Sequence, residues 1–148
     1  MTIRPIARED IPALAKLEAA CFPDPWNESG LGMLLAPPRG GLCAVSDGAV
    51  AGYVSWMHIP AGDGMAAEAE ILRIAVSPEA RRQGLGRALL DGMLNTLRVG
   101  DEPMNVYLDV RASNAAAQGL YASFGFVRRG MRPRFYGDED AFEYVLEL

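Results

Sequence analysis

The sequence contains little cysteine, histidine or lysine, and these scarcities exclude several kinds of site. The two cysteines, Cys21 and Cys43, form no Cys-x-x-Cys motif, and the single histidine, His58, does not lie at metal-ligand spacing from them. We therefore expect neither a metal site nor a redox-active disulfide.

Long apolar runs and blocks of basic residues are also absent. The N-terminus carries Arg4 and a charged stretch at 8–10, so it has no apolar signal-peptide core, and no run approaches membrane-spanning length. The net charge is -5, and the basic residues form no block that could neutralise the phosphates of a nucleic acid. We expect a cytoplasmic protein that binds neither a membrane nor nucleic acid.

The 148 residues, half of them apolar, are enough for one compact domain spanning 1–148. Apolar spacing, prolines and glycines predict a helix from about Asp10, whose side chain we expect to cap it, and further helices at 29–35, 85–97 and from Ser113-Asn114 to Gly125. Strands are predicted at 3–6, 42–45, 50–59, 70–76, 105–111, 126–129 and 141–148, with an Asp47-Gly48 hairpin turn. This order predicts a mixed α/β (α+β) domain with one central sheet.

A glycine-containing turn lies between the strand at 70–76 and the helix at 85–97. It reads Arg81-Arg82-Gln83-Gly84-Leu85-Gly86-Arg87. Backbone N–H groups at the start of a helix lack internal partners, and the helix dipole adds positive potential there, so an anionic phosphate is well accommodated.

Two familiar phosphate-binding patterns do not fit this turn. A nucleoside triphosphatase loop would place Lys and then Ser or Thr after the second glycine, but Arg87-Ala88 stands there and the only lysine is Lys16. A dinucleotide fingerprint would need a third glycine at the position of Leu89. An Arg-x-x-Gly-x-Gly pattern remains.

A second informative segment follows the strand at 105–111. Because side chains alternate along a strand, Asp109 points away from the face that carries Val106, Leu108 and Val110. On the helix that follows, Asn114 and Tyr121 lie along one stripe, since they are separated by steps of three and four residues.

Together these motifs resemble the GNAT superfamily of acetyltransferases, and within it the ribosomal-protein-alanine N-acetyltransferases. The resemblance covers nearly the full chain, including the loop from Phe22-Pro23 to Trp26 and the segment from Tyr136 to Ala141. It implies a GNAT fold with splayed central strands, where acetyl-CoA lies along the fourth strand. The cofactor-binding residues implied by the resemblance are Ile74, Ala75, Val76, Arg82, Gln83, Gly84, Leu85, Gly86, Arg87, Asn114 and Tyr121.

The resemblance also implies the catalytic roles. Tyr121 would protonate the departing thiolate, and the acidic residue at position 109 would act as base, while Trp26, Phe135 and Tyr136 would line the acceptor site. The family usually has Glu where this chain has Asp109, which shortens the reach of the carboxylate by about 1.5 Å. Glu70 is therefore a competing candidate for the base.

Each of these residues also has a purely structural interpretation. Tyr121 could pack in the core, Asn114 could cap a helix, and Asp109 could pair with Arg111 or Arg73. The acidic cluster at 138–140 is expected to be a solvated turn.

The resemblance implies that acetyl is transferred to the N-terminal α-amine of a protein, with the N-terminal alanine of a ribosomal protein as the acceptor. An α-amino group titrates near 7.7–8.0 and lysine near 10.4, so an N-terminus is the easier amine to deprotonate. Two alternatives stay open: a GNAT enzyme that acetylates lysine side chains or small amines, and a CoA-binding module with little or no turnover. The oligomeric state does not follow from the sequence.

Overall fold

The computed structural model describes residues 1–148. It contains seven strands and four helices in the predicted order. The helices are α1 (Ile11–Cys21), α2 (Glu28–Gly32), α3 (Leu85–Leu97) and α4 (Ala115–Ser123). The strands are β1 (Thr2–Pro5), β2 (Arg39–Ser46), β3 (Ala49–Ile59), β4 (Ala67–Val76), β5 (Met104–Arg111), β6 (Val127–Arg132) and β7 (Ala141–Glu147). None of the helices combines the length and the hydropathy that a membrane span requires.

One mixed sheet runs in the order β1-β2-β3-β4-β5-β7-β6. β4 and β5 are parallel, whereas β1 with β2, β2 with β3, β5 with β7 and β6 with β7 are antiparallel. The parallel pairing joins Ala67–Glu70 to Met104–Tyr107 and ends at Glu70↔Tyr107, before either strand does. The predicted mixed α/β class is thus confirmed.

The chain divides into two compact units, and the first comprises Met1–His58 and Leu72–Arg98. Its core is formed by the inner face of α1 against β2 and β3, with fully buried Leu14, Leu31, Cys43 and Tyr53. The turn between β2 and β3 is the predicted hairpin, because Asp47 and Gly48 both have positive φ, 51° and 77°.

The second unit comprises Ile59–Ile71 and Val99–Leu148. β5 alternates regularly between buried and half-buried residues, so Val106, Leu108 and Val110 face the core as predicted. α4 ends before Gly125, whose φ of 97° is the left-handed conformation expected just after a helix.

Several sequence expectations differ from the structure, among them the ends of α2 at Gly32 and of β6 at Arg132. β2 starts at Arg39 and includes Gly40. A glycine fits at position 40 because the ring of Trp56 lies where a side chain would be: a Cβ on Gly40 would stand 2.8 Å from Trp56 Nε1. β4 starts at Ala67 instead of position 70. The Asp10 side chain does not cap α1; it accepts hydrogen bonds from Arg4 and from the Ala7 N–H.

Candidate functional site

In the first unit, β4 leads through the glycine-containing turn into α3. Gly84 is the residue before α3 and has a φ of 79°, a left-handed conformation that favours glycine. Arg82 also has a positive φ, 64°. No side chain caps the start of α3, so its first backbone N–H groups are not satisfied by a capping residue.

Packing fixes this turn relative to the strand. Leu85, Leu89 and Leu90 are buried, which anchors α3 from its first turn onward. The space next to the Gly84 Cα is open, because a Cβ built there would meet nothing within 4 Å. An uncapped helix start with open space beside it fits the diphosphate of acetyl-CoA.

The end of β4 is held from both sides within the same unit. On one side, Gly52 of β3 lies so close that a Cβ there would stand 2.8 Å from the Ala75 carbonyl oxygen. On the other, the Val76 carbonyl accepts hydrogen bonds from Arg81 Nε at 3.2 Å and from the Cys21 thiol at 3.5 Å. The backbone at the end of the predicted cofactor-binding strand is therefore contacted by β3, by Arg81 and by the end of α1.

In the second unit, the two candidate bases lie on one face of the sheet. Glu70 pairs in register with Tyr107 of β5, and Tyr107 and Asp109 share a face because they are two residues apart. Glu70 is exposed and forms no ion pair. Both carboxylates therefore point to the same side, from neighbouring strands.

Asp109 is engaged by an arginine that sequence reasoning did not consider. Arg132 Nε lies 3.0 Å from Asp109 Oδ1, and the same guanidinium lies 2.7 Å from Glu143 Oε2. The hydrogen bond to Asp109, followed by the charge of Asp109 and the contacts with Glu143, raises the pKa of Arg132. The expected alternative partners, Arg111 and Arg73, pair with other acids.

Tyr121 of α4 packs on the opposite face of the sheet. Its ring lies 5.7 Å from that of Phe126 and 6.5 Å from that of Tyr144, measured between centroids. Tyr144 is the register partner of Leu108, on the face away from Asp109. Burial, followed by the charge of Tyr136, raises the pKa of the Tyr121 hydroxyl well above its usual range, so this phenol stays protonated at neutral pH.

The turn between β5 and α4 is braced by side chains. Asn114 is the N-cap of α4, as the structural interpretation proposed, because its Oδ1 accepts from the Ala117 N–H at 3.1 Å. Gln118 Nε2 donates to the Arg111 and Ala112 carbonyls at 3.2 and 3.0 Å.

The acidic cluster at 138–140 lies in a partly exposed turn, as predicted, and two of its carboxylates also bind an arginine. Asp138 and Glu139 bind Arg111 at 3.0 and 3.2 Å, and Glu139 also accepts from the Ser113 N–H. Arg111 in turn lies 4.4 Å above the ring of Tyr136. Phe135 is 53% exposed and meets Tyr136 edge-on.

Sequence reasoning missed a buried polar cluster in the first unit. The Glu18 side chain is fully buried and accepts a hydrogen bond from the Tyr53 hydroxyl at 2.5 Å and one from the Trp26 N–H at 2.9 Å. Arg73 lies 3.2 Å from the same carboxylate. Glu18 follows Leu14 and Leu17 on the buried face of α1, so an acidic residue at helical spacing among apolar ones was the available signal.

Comparison with known proteins supports one family throughout. Residues 11–126 match the model of the acetyltransferase (GNAT) family. The chain is 36% identical over 149 residues to the N-alpha-acetyltransferase RimI of Mycobacterium tuberculosis, covering 99% of this chain and 90% of that protein. It is 32% identical over 151 residues to the ribosomal protein bS18-alanine N-acetyltransferase of Escherichia coli strain K12, covering 99% and 97%.

Solved structures agree with the sequence relatives. The crystal structure of the ribosomal-protein-S18-alanine N-acetyltransferase from Escherichia coli superimposes with a TM-score of 0.85 at 32% identity, covering 99% of this chain and 92% of that one. Arabidopsis thaliana NAA60 in complex with acetyl-CoA has a TM-score of 0.86 at 20% identity, with 99% of each chain covered, and so shares the fold.

Proposed function

The chain belongs to the acetyltransferase (GNAT) family, and we propose that this acetyl-CoA-dependent N-acetyltransferase acetylates the N-terminal alanine of a small-subunit ribosomal protein. The observation that carries the proposal is the similarity over 99% of the chain to enzymes named for that reaction. We further propose that residues 1–148 act as one domain in the cytoplasm.

The cofactor-binding residues of this proposal are those of the β4–α3 segment. The backbone of Ile74, Ala75 and Val76 would pair with the amides of the pantetheine arm, because the pairing of β4 with β5 ends at Glu70 and strand N–H and C=O groups need partners. The Val76 carbonyl already accepts hydrogen bonds from Arg81 and Cys21 and is not counted among these groups. The turn and the first residues of α3 would hold the diphosphate. The residues proposed for this role are Arg82, Gln83, Gly84, Leu85, Gly86 and Arg87. The support is the left-handed Gly84 and the uncapped helix start.

The proposed chemistry removes two protons from the acceptor nitrogen, one from its ammonium form and one as the amide forms, and supplies one proton to the departing sulfur, so that one proton is released overall. The acceptor arrives as an ammonium group, and only the neutral amine attacks the thioester. Asp109 or Glu70, which share a face of the sheet, would take the proton from the ammonium group. Tyr121 would give a proton to the departing CoA thiolate, and its raised pKa means that the hydroxyl is protonated at neutral pH. Asn114 combines its capping role with a contact to the cofactor.

The two candidate bases differ in whether a charged side chain binds them. Arg132 Nε lies 3.0 Å from Asp109 Oδ1 and so holds that carboxylate in one orientation, which favours a positioned proton acceptor. Glu70 is exposed and has no ionic partner, so nothing fixes the orientation of its carboxylate. We propose Asp109 as the base, with Glu70 as the alternative.

A panel of acceptors tests the proposed function. Peptides that begin with Ala, Ser, Met or Glu, a lysine peptide with a blocked N-terminus, and a polyamine are each incubated with acetyl-CoA, and free CoA is measured. We expect the highest kcat/KM for the peptide beginning with Ala. A higher value for the lysine peptide or the polyamine would refute the acceptor class, and acetyl-CoA binding without turnover on any acceptor would indicate a binding module.

A further inference from the structure

The buried cluster in the first unit fixes one particular segment, the loop Phe22–Trp26 that joins α1 to α2. The Arg73 guanidinium lies 4.1 Å from the Phe22 ring centroid and 4.7 Å from the Trp26 ring centroid, so both rings stack on it. The same group donates to the Asp24 carbonyl at 3.0 Å. One side chain of β4 thus contacts the start, middle and end of the loop.

Glu18 also contacts both Arg73 and the loop, and the pair Glu18 and Arg73 is called the clamp. Its carboxylate lies 3.2 Å from Arg73 and accepts the Trp26 N–H, so the charge that holds Arg73 also binds the loop backbone directly. The Tyr53 hydroxyl donates a hydrogen bond to the second oxygen of the Glu18 carboxylate. Fully buried charges are tolerated only when they are paired and hydrogen-bonded. The Glu18 carboxylate meets this condition through its contacts with Trp26, Arg73 and Tyr53.

The clamp is not optimised for stability. Arg73 Nε is buried and has no hydrogen-bond partner, and a buried donor left unpaired is unfavourable. A buried ion pair is also often replaceable by apolar residues without loss of stability. Holding the loop in one conformation is a role that would explain why these residues are arranged in this way.

The loop is anchored beside the proposed cofactor-binding strand. Arg73 directly precedes Ile74, and Cys21, the residue before the loop, contacts the Val76 carbonyl. Pro23, Asp24 and Pro25 are exposed on the outer side. An amine that attacks a thioester carried along this strand must approach to about 3–3.5 Å, and so would pass next to the loop.

Resting on the proposed function, we propose that Arg73 is a positioning residue that pre-orders the loop Phe22–Trp26 as one wall of the acceptor-peptide site. It acts on acceptor binding and not on the binding of acetyl-CoA. Glu18 is its supporting partner, and Asp24, whose backbone carbonyl Arg73 binds, is exposed on this loop. Releasing the loop would make the peptide order it on binding, which weakens affinity.

Steady-state kinetics with an Ala-starting peptide tests this inference. Because removing Arg73 alone leaves Glu18 buried and unpaired, the main variant is the double substitution Glu18→Gln/Arg73→Met, which removes both charges at similar volume. We expect KM for the peptide to rise about tenfold or more. The acetyl-CoA Kd by calorimetry should stay within about twofold, and Trp26 should become more accessible to acrylamide quenching.

Two further variants keep the test decisive. Arg73→Lys retains the charge but loses the planar stacking surface, so it should raise the peptide KM by a smaller factor than the double variant. Arg8→Met, an exposed arginine of the same unit, should behave as the wild type. An unchanged peptide KM in a folded double variant, or a change confined to the acetyl-CoA Kd, would overturn the inference. Absence of turnover in the wild type would instead refute the proposed function.

Discussion

Removing the hydroxyl of Tyr121 is the substitution that tests the proposed acid most cleanly. In Tyr121→Phe the ring keeps its contacts with Phe126 and Tyr144, at 5.7 and 6.5 Å between centroids. We therefore expect the free energy of unfolding to change by less than about 1 kcal/mol.

The expected kinetic effect is much larger than the effect on stability. A positioned acid contributes typically 10²- to 10⁴-fold, and each factor of ten corresponds to about 1.36 kcal/mol of activation free energy. We expect kcat to fall at least about 100-fold, which is roughly 2.7 kcal/mol. The acetyl-CoA Kd should stay nearly unchanged, because the hydroxyl acts on the leaving group.

The pH dependence of the wild type provides a second readout. Burial raises the pKa of the Tyr121 hydroxyl, so the acid stays protonated throughout the neutral range. The rate should accordingly rise with the deprotonation of the acceptor amine, near 7.7–8.0, and should not fall from loss of the acid below about pH 9.

A neighbouring tyrosine provides the matched control. Tyr144→Phe removes the same atom from the adjacent ring and loses one hydrogen bond to Gln118 Oε1, formed at 3.2 Å. It should lower stability by about 1 kcal/mol and leave kcat within a few-fold. Equal kcat values for Tyr121→Phe and the wild type would remove Tyr121 from the mechanism.

Three other predictions concern the base, the cofactor turn and the N-terminal ion pair. Asp109→Asn should lower kcat about 100-fold across pH and Glu70→Gln only a few-fold; the reverse order in stopped-flow or steady-state rates would make Glu70 the base. Gly84→Ala, at a φ of 79°, should raise the acetyl-CoA Kd and lower the unfolding free energy by about 1 kcal/mol. An acetyl-CoA Kd that calorimetry finds unchanged would contradict a role of this turn in cofactor binding. A hydrogen bond from Arg4 lowers the pKa of Asp10 below its ordinary 3.8, so its stabilisation is present above that pH and is lost as pH falls further. Asp10→Asn should therefore lower Tm at pH 7 but much less at pH 2–3, and an equal loss at both would contradict this.

The local order of elements was predictable because short-range signals set it. Asp47-Gly48 favours positive φ at both positions, and Gly125 provides the left-handed residue after α4. The alternation of β5 placed Asp109 and Leu108 on opposite faces correctly.

Contacts between distant residues were not predictable in the same way. Nothing in the spacing of Glu18 and Arg73 shows that they meet, because 55 residues separate them and only the docking of α1 on β4 brings them together. The pairing of Asp109 with Arg132 likewise depends on the register of β6 with β7, which sequence periodicity does not fix. Gly40 was misassigned because a glycine that admits a neighbouring Trp56 ring looks like a loop residue in sequence.

The most direct test of the proposed reaction uses one peptide that carries both a free N-terminal alanine and an internal lysine. The peptide is incubated with acetyl-CoA and the enzyme, and tandem mass spectrometry locates the acetyl group. We predict acetylation of the α-nitrogen of the alanine, with the lysine unmodified. Acetyl found on the lysine, or no enzyme-dependent acetylation at all, would contradict the proposed function.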